Sequence, residues 1–345
     1  MIVCNTRNLF SGLTGVQRYT QTMLRYAPPD LRCVSPSKSF SSGFIGHAWE
    51  QFILPRRLKG GLLWSPSNSG PITVENQVVT IMDVSPLDHP EWSSREFSNW
   101  YRFLIPRLVR RVRRVLTISE FSRERILYYC PEAENKIDVT LLAADRRFCP
   151  VDTGAVDDVV GQLKLPSPHY FIALGSLEPR KNLRTLVTVW AQVQSKFPDD
   201  VWLVIAGAIG KSSVFGSQRY ENLPPRVHLA GRVPDDALPA LYSGALASVY
   251  LSFYEGFGLP PLEAMSCGSP LLVSNTTSLP EVVGEAGLMV DPLDVEAIGD
   301  GLIRLVEDSS LRRDLRLRGL ERAKRFSWDK TAQQTWAVLG EAVRL

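Results

Sequence analysis

An alternation of short apolar segments with amphipathic stretches, which recurs along the whole chain, is the feature that most constrains the fold. The apolar segments are rich in β-branched residues, which is typical of parallel strands in a sheet covered on both faces. The stretches between them have helical periodicity, so the alternation predicts an α/β protein with crossover helices. Strands are predicted over 2–5, 32–34, 62–65, 78–83, 115–118, 137–142, 170–174, 202–205, 227–229, 247–251, 271–273 and 288–290, and helices over 16–26, 96–114, 156–163, 183–196, 234–243, 261–267, 280–283, 295–306, 311–324 and 328–345.

The alternation is interrupted once, over residues 146–165, where Pro150, Gly154 and weak periodicity indicate a connection between domains. A chain of 345 residues has room for about two domains of ~100–200 residues each. The sequence therefore predicts two Rossmann-like, doubly wound domains facing across a cleft. Ligands of such sheets bind beyond the carboxyl ends of the strands, so a site is expected in the loops that follow them.

The composition excludes several other classes of protein. Apolar residues make up 44% and charged residues 22% of the chain, as in a globular protein, and the net charge of +3 gives no indication of nucleic-acid binding. The five cysteines are odd in number and widely spaced, which favours free thiols in a reducing compartment. Neither a basic leader segment nor an apolar run of the ~20 residues that span a bilayer is present, so we expect a cytoplasmic protein.

The most informative stretch follows an apolar strand and reads Glu255-Gly256-Phe257-Gly258-Leu259-Pro260-Pro261-Leu262-Glu263. Its glycines permit positive φ and close approach of a ligand to the backbone, and its prolines suit the first turn of a helix. This layout aims free N–H groups and a helix dipole at one spot, which favours phosphate binding. Glu255 before the helix and Glu263 in its first turn would flank that spot and accept hydrogen bonds from hydroxyls. A buried turn with two surface glutamates is the competing interpretation.

A second stretch, Gly175-Ser176-Leu177-Glu178-Pro179-Arg180-Lys181-Asn182, also follows an apolar strand and opens a helix. Arg180 and Lys181 would place two cations beside the helix N-terminus. Such pairs are common on protein surfaces, where they contribute little. Their position after a strand instead favours binding of a pyrophosphate, whose charge they would stabilise as it leaves, without a metal.

Two weaker candidates lie in the first half of the chain. Gly12 and Gly15 link the first strand to the first helix and could let an acceptor or a phosphate approach, but an ordinary βα turn explains them equally well. Asp83 ends the predicted strand 78–83, where it would face the cleft and could bind or deprotonate an acceptor hydroxyl. A turn-capping aspartate is the competing interpretation.

Three further features of the sequence bear on its function. Gly210-Lys211-Ser212 is similar to the end of a P-loop, but Ile205 stands where that loop requires its first glycine. The four histidines have no ligand spacing, so no metal is expected. The stretch 107–114, a basic helix centred near Arg110, could lie on an anionic membrane surface or form a solvated helix face.

Together these segments resemble glycosyltransferase family 4, which has the GT-B fold, and within it the mannosyltransferase-like enzymes of bacterial polysaccharide assembly. The resemblance covers nearly the whole chain and is most specific in the E-x7-E stretch and in Arg180-Lys181. It implies an N-terminal acceptor-binding domain over 1–150 and a nucleotide-sugar-binding domain over 165–327. It also implies a C-terminal helix over 328–345 that crosses back to the N-terminal domain.

The resemblance implies a role for each matched position. Glu255 would contact the transferred sugar and Glu263 the ribose. Family members commonly carry a histidine where this chain has Met82, which leaves Asp83 as the catalytic candidate there. The donor would be held by Gly12, Gly15, Gly175, Arg180, Lys181, Gly256, Phe257, Gly258 and Leu259, with Arg232 and Val233 beside the base.

The implied reaction is retaining transfer of a hexose from a nucleotide diphosphate sugar, with no cofactor. GDP-mannose is the favoured donor, ahead of UDP-sugars and dTDP-rhamnose, and the acceptor would be a glycan or a lipid-linked oligosaccharide. We therefore expect a protein of surface polysaccharide synthesis that can associate with the inner face of the plasma membrane. A nucleotide-sugar epimerase and a non-catalytic nucleotide-binding protein are the alternatives. A glycosidase is not favoured, because the anion site suits a diphosphate leaving group better than a water nucleophile.

Overall fold

The structure, a computed structural model, describes residues 1–10, 15–41, 43–175, 178–207 and 223–345. The chain divides into two compact units. Unit 1 comprises Met1–Ala143 together with Ser327–Leu345, and unit 2 comprises Ala144–Phe326. Each unit is built on one six-stranded sheet, and every strand pairing in both sheets is parallel.

The sheet of unit 1 is covered by helices that follow its strands. Its strands are β1 (Ile2–Asn5), β2 (Arg32–Val34), β3 (Leu62–Ser65), β4 (Gln77–Thr80), β5 (Arg114–Thr117) and β6 (Ile137–Val139). Its helices before the crossing into unit 2 are α1 (Gly15–Arg25), α2 (Gly43–Ala48), α3 (Ser85–Asp88), α4 (Arg95–Arg111) and α5 (Glu120–Tyr129). A π-helical turn, Trp49–Ile53, and a 3-10 turn, Leu54–Arg57, continue α2. The strand order is β2-β1-β3-β4-β5-β6, so the direction of winding reverses between β1 and β3.

Unit 2 repeats the architecture with a different strand order. Its strands are β7 (His169–Leu174), β8 (Val201–Ala206), β9 (Val227–Gly231), β10 (Ala247–Tyr250), β11 (Leu271–Ser274) and β12 (Leu288–Val290). Its helices are α6 (Thr153–Gln162), α7 (Leu183–Val193), α8 (Leu238–Gly244), α9 (Leu259–Ser266), α10 (Leu279–Val283), α11 (Val295–Glu307) and α12 (Ser309–Ala323). The order β12-β11-β10-β7-β8-β9 is that of a Rossmann fold, with the reversal between β7 and β10.

The core of unit 2 explains why its strands are apolar on both faces. Phe171 of β7 packs with Trp190 of α7, whose ring centroid lies 6.0 Å away, and both side chains are fully buried. Leu302 of α11 is also fully buried in this cluster. Helix α11 begins at a side-chain cap, because Asp294 accepts a hydrogen bond from the amide of Ala297 at 2.9 Å. Apolar pattern and capping therefore fix the helices that cover the sheet.

The last helix, α13 (Trp328–Arg344), belongs to unit 1 and packs against β3, β4 and β5. Trp336 meets Trp64 of β3 edge-on, with ring centroids 5.3 Å apart. Leu339 is fully buried. The chain thus leaves unit 1 after Ala143 and completes it with its final helix.

The α/β fold and all twelve predicted strands are present, but several predicted bounds are wrong. Strands β4 and β6 end at Thr80 and Val139, three residues before the predicted ends. The helix predicted over 96–114 ends at Arg111, and the helix predicted from 234 begins at Leu238. The helix predicted from 261 begins at Leu259, so Glu263 lies in its second turn and not in its first.

Candidate functional site

Two loops of unit 2 meet where its strand order reverses. The loop after β7 carries Arg180 and Lys181, and the loop after the neighbouring strand β10 carries Glu255. The carboxyl ends of neighbouring parallel strands lie at the same edge of the sheet, so these loops are adjacent. The amide of Phe253 donates to the carbonyl oxygen of Arg180 at 2.8 Å. This edge is where doubly wound sheets bind ligands.

The carboxylate of Glu255 joins the two loops. Lys181 Nζ lies 2.5 Å from its Oε1, and Arg180 Nη1 lies 3.1 Å from its Oε2. Ser252 donates to Oε1 at 2.7 Å, while Arg180 Nε also contacts Glu178 at 2.6 Å. The side chains of Lys181 and Glu255 are only 10% and 11% exposed, whereas that of Arg180 is 31% exposed. The cluster therefore presents one shielded ion pair and one cation that reaches solvent.

Burial and charge oppose one another at this ion pair. Burial alone would raise the pKa of Glu255, but the charges of Lys181 and Arg180, with hydrogen bonds from Lys181 and Ser252, lower it to about 2. Burial lowers the pKa of Lys181, and the neighbouring Glu255 carboxylate opposes that shift. The carboxylate is ionised near neutral pH, so the two cations share an anionic partner within the chain.

Three hydroxyl residues that the sequence did not single out hold this turn in place. Ser278 Oγ lies 2.9 Å from the carbonyl oxygen of Glu255 and 2.8 Å from that of Phe257, and it can donate to either. Thr277 Oγ1 accepts from the amide of Glu255 at 3.2 Å. Thr277 has a φ of 58°, a left-handed conformation that β-branched residues rarely adopt. Ser252, three residues before Glu255, is the third.

Helix α9 begins directly at the glycine turn. Gly258 has a φ of 107°, and a Cβ there would lie 2.8 Å from Leu279 Cδ2, so only glycine fits this position without strain. Pro260 and Pro261 of the first turn carry no N–H, so the amides of Gly258 and Leu259 are the backbone donors at this helix start that an anion could contact. Glu263 is buried one turn further on, where its charge adds to the effect of burial in raising the pKa values of Tyr242 and Tyr250.

The remaining predicted positions of unit 2 lie in the loops after β7 and β9. Gly175 approaches the Lys181 side chain, since a Cβ built at Gly175 would lie 3.5 Å from its carbons. Gly207, after β8, packs so close to Gly175 that a Cβ would lie 1.8 Å from the Gly175 carbonyl oxygen. Arg232 is exposed and Val233 is buried directly after β9, which is an edge strand.

The candidate site residues predicted in the first half of the chain belong to unit 1. Gly15 is the first residue of α1, whereas Gly12 lies outside the described residues, as does the rejected Gly210-Lys211-Ser212 stretch. Asp83 does not end a strand, contrary to the prediction. It lies three residues beyond β4, and its Oδ1 accepts a hydrogen bond from the amide of Ser85 at 2.9 Å. That contact is the turn-capping arrangement that competes with a catalytic role for Asp83.

The basic stretch after residue 107 is largely engaged by the protein itself. Three of its arginines form ion pairs and a fourth donates to a backbone carbonyl: Arg110 with Glu132, Arg111 with Glu75, Arg114 with Asp138, and Arg113 with the carbonyl of Ala342. Among the described residues, no helix is long and apolar enough to cross a membrane. Within the same residues, no group of three or more His, Cys, Asp or Glu side chains could hold a metal ion.

Comparison with solved structures identifies the fold class. HepE from Anabaena, solved with UDP-glucose, is 16% identical and superposes with a TM-score of 0.75 over 99% of each chain. Sucrose-phosphate synthase from Thermosynechococcus elongatus is 19% identical, with a TM-score of 0.74 over 99% of this chain and 98% of that one. With two Rossmann-like units and a cation cluster at the switch point of the second, the protein has the fold of GT-B glycosyltransferases.

Sequence comparison identifies the family within that class. The profile described as "Glycosyl transferases group 1" matches residues 160–322. O-antigen chain mannosyltransferase B of Escherichia coli is 35% identical over 295 residues, which are 84% of this chain and 76% of that protein. The serotype-specific mannosyltransferase WbdA of Escherichia coli is 30% identical over 63% of this chain, but the match spans only 27% of WbdA. The chain belongs to the group 1 glycosyltransferases, and the predicted family resemblance is confirmed.

Proposed function

We propose that this protein is a retaining hexosyltransferase that transfers mannose from GDP-mannose to a glycan or a lipid-linked oligosaccharide during surface polysaccharide synthesis. The convergence of Arg180 and Lys181 on one carboxylate, beside the start of α9, is the observation that carries the proposal. The names of the Escherichia coli relatives, which specify mannosyltransferases, support the choice of sugar.

In the proposed reaction, the two cations bind the diphosphate of the donor. The bond between the sugar's anomeric carbon and the phosphate oxygen breaks, and negative charge grows on the departing diphosphate. Arg180, Lys181 and the N-terminus of α9 stabilise that charge, so we propose a reaction that needs no metal. Arg180 is the more accessible cation and Lys181 the more enclosed one.

Glu255 changes partner in this proposal. Its carboxylate is the anion that the two cations contact within the chain. A bound diphosphate supplies a second and more highly charged anion to the same cations. The carboxylate then accepts hydrogen bonds from hydroxyls of the sugar, as an ionised carboxylate can.

Retention follows if the acceptor attacks from the face that the diphosphate leaves. The acceptor oxygen forms the new bond to the anomeric carbon while its proton passes to the departing phosphate oxygen, so atoms and charge balance. Glu263 binds the ribose, and Arg232 and Val233 lie beside the base. Asp83 remains a proposed contact to the acceptor hydroxyl, although its Oδ1 already caps the turn at Ser85.

The variants Arg180→Ala and Lys181→Ala test this assignment, with Arg184→Ala as the matched control, since Arg184 is an exposed cation on α7. We expect each site variant to lose about a hundredfold or more in kcat/KM for GDP release from GDP-mannose, while the control keeps its activity. NMR of the product should give an α-mannoside. Full activity in both site variants would refute the diphosphate assignment, a β-mannoside would refute retention, and tighter binding of UDP or dTDP than of GDP would refute the donor.

A further inference from the structure

Exposed apolar side chains are concentrated on one part of unit 1. Seven of the fifteen large hydrophobic side chains that are exposed among the described residues lie between residues 40 and 103. Six of them project from α2, from the π turn after it and from α4: Phe44, Ile45, Phe52, Ile53, Phe97 and Phe103. An exposed apolar cluster of this kind marks an interaction surface.

The π turn explains how α2 and its continuation present one apolar side. Phe44 and Phe52 are eight residues apart, which equals one α turn of about 3.6 residues plus one π turn of about 4.4. The spacing therefore places them two helical turns apart on the same side. Phe44 is 82% exposed and Phe52 is 66% exposed, so neither contributes to the core.

A groove joins these residues to α4. It has a volume of about 660 Å³ and is lined mainly by apolar atoms of Phe44, Phe97, Trp100 and Phe103. His47 also lines the groove and accepts a hydrogen bond from Trp100 Nε1 at 3.2 Å. The rings of Trp100 and Phe103 are stacked at 6.0 Å. The hydrogen bond between His47 and Trp100 thus joins α2 to α4, and the groove between them is lined mainly by apolar atoms.

Arginines are frequent in the two segments that carry the apolar cluster. All five that lie within 43–57 and 95–107 are exposed: Arg56, Arg57, Arg95, Arg102 and Arg107. Arg107 lies over the Phe103 ring at 3.9 Å, which keeps a charge beside the aromatic side chain. The same two segments contain two acids, of which Glu50 is fully buried and paired with Arg7, while Glu96 alone is exposed.

We propose that this aromatic–arginine face, formed by Phe44, Ile45, Phe52, Phe97, Phe103 and the five arginines, docks on the surface of an anionic lipid bilayer. Apolar rings enter the acyl boundary while the guanidinium groups meet lipid phosphates. The excess of cations favours lipid over a second copy of this chain, which would bring like charges together. The inference rests on the proposed lipid-linked acceptor, which would present its glycan at such a surface. The proposed face does not include Arg110, Arg111 and Arg114 of the basic stretch, which form ion pairs with acidic residues.

Co-sedimentation of the full chain with phosphatidylcholine vesicles, with and without phosphatidylglycerol, tests the proposal. We expect binding only to the anionic vesicles, weakened by salt. The double variant Phe44→Ser with Phe52→Ser should bind about tenfold more weakly or worse, and Arg56→Gln with Arg57→Gln about fivefold more weakly per arginine. Matched controls on unit 2, Leu317→Ser and Arg313→Gln, are exposed residues of α12 and should bind as the unaltered protein does.

Three results would overturn the docking proposal: no binding of the unaltered protein to anionic vesicles, equal binding by site and control variants, or self-association that the phenylalanine variant abolishes without any vesicle binding. Mannose transfer to a water-soluble glycan, measured in parallel, separates this inference from the proposed function. Transfer by an unaltered protein that does not bind anionic vesicles refutes only the docking face. Docking without transfer refutes only the assigned reaction.

Discussion

Glu255 is tied to its surroundings through every polar atom that it carries. Its carboxylate contacts Lys181 and Arg180, its amide donates to Thr277, and Ser278 reaches its carbonyl oxygen. A side chain held in this way loses little conformational entropy when a ligand binds, which is how preorganised sites achieve affinity. The arrangement also makes the ionisation of Glu255 part of the stability of unit 2.

The variant Glu255→Gln should reveal that contribution through its pH dependence. The folded pKa of about 2 lies below the ordinary 4.5, so ionised Glu255 stabilises the folded protein above pH 4.5, and this stability is lost as pH falls towards 2. We expect the free energy of unfolding of the variant to be lower by on the order of 3 kcal/mol at neutral pH and by much less near pH 2.

Urea unfolding at the two pH values measures this difference, with Glu178→Gln as the control because its carboxylate is 39% exposed. The control should change little at either pH. A difference for Glu255→Gln that is the same at neutral and acidic pH would contradict the assigned ion pair.

Residues whose role depends on local sequence were predictable, whereas those whose role depends on strand neighbours were not. Arg180, Lys181 and Glu255 each follow an apolar strand and precede a helix, and the sequence singled them out. Thr277 and Ser278 follow β11, and only the observed pairing of β10 with β11 brings them to Glu255. No local sequence pattern predicts the strand order that places Thr277 and Ser278 beside Glu255.

At the scale of elements, helix α9 depends on the glycine that precedes it. Gly258→Ala places a methyl group at a φ of 107° and 2.8 Å from Leu279, so we expect a loss of about 1–3 kcal/mol in unfolding free energy, with weaker binding of GDP. Gly161→Ala in α6 is the matched control, because a Cβ there meets nothing within 4 Å. It should be neutral or stabilising. Urea unfolding measures the stability of each variant, and calorimetry measures its affinity for GDP. Equal stabilities and affinities in the two variants would argue against a constrained turn at Gly258.

The bounds of strands and helices are predictable where the apolar pattern of the sequence matches the residues that each element buries. They are wrong where the two differ. The strand predicted to reach Asp83 ends at Thr80. Ile81 and Met82 are buried beyond its end, so the apolar run in the sequence is longer than the strand. The helical segment from Gly43 to Arg57 was not predicted. Its exposed apolar side chains and its π turn depart from the amphipathic pattern that signals a helix.

At the scale of the whole molecule, the two units share an architecture but carry different candidate surfaces. Both sheets reverse their winding once, between β1 and β3 in unit 1 and between β7 and β10 in unit 2. Only the second reversal carries a cation pair with a carboxylate between them in the described chain. Unit 1 instead carries the aromatic–arginine face. We therefore propose donor binding for unit 2 and membrane docking for unit 1.

This division predicts that the two units respond differently to the same ligand. Leu339→Ala in α13 and Leu302→Ala in α11 each remove a fully buried side chain, the first from unit 1 and the second from unit 2, and each should cost about 2–5 kcal/mol locally. Hydrogen exchange followed by mass spectrometry reads the two units separately. Saturating GDP, at about a hundred times its Kd, should restore about 2.7 kcal/mol of protection to unit 2 in Leu302→Ala. It should leave unit 1 of Leu339→Ala as unprotected as before if unit 2 alone holds the nucleotide and the implied roles of Gly12 and Gly15 do not extend to it, because a ligand stabilises only the unit whose folded state binds it. Protection of α13 by GDP in that variant would mean that residues of unit 1 hold the nucleotide as well.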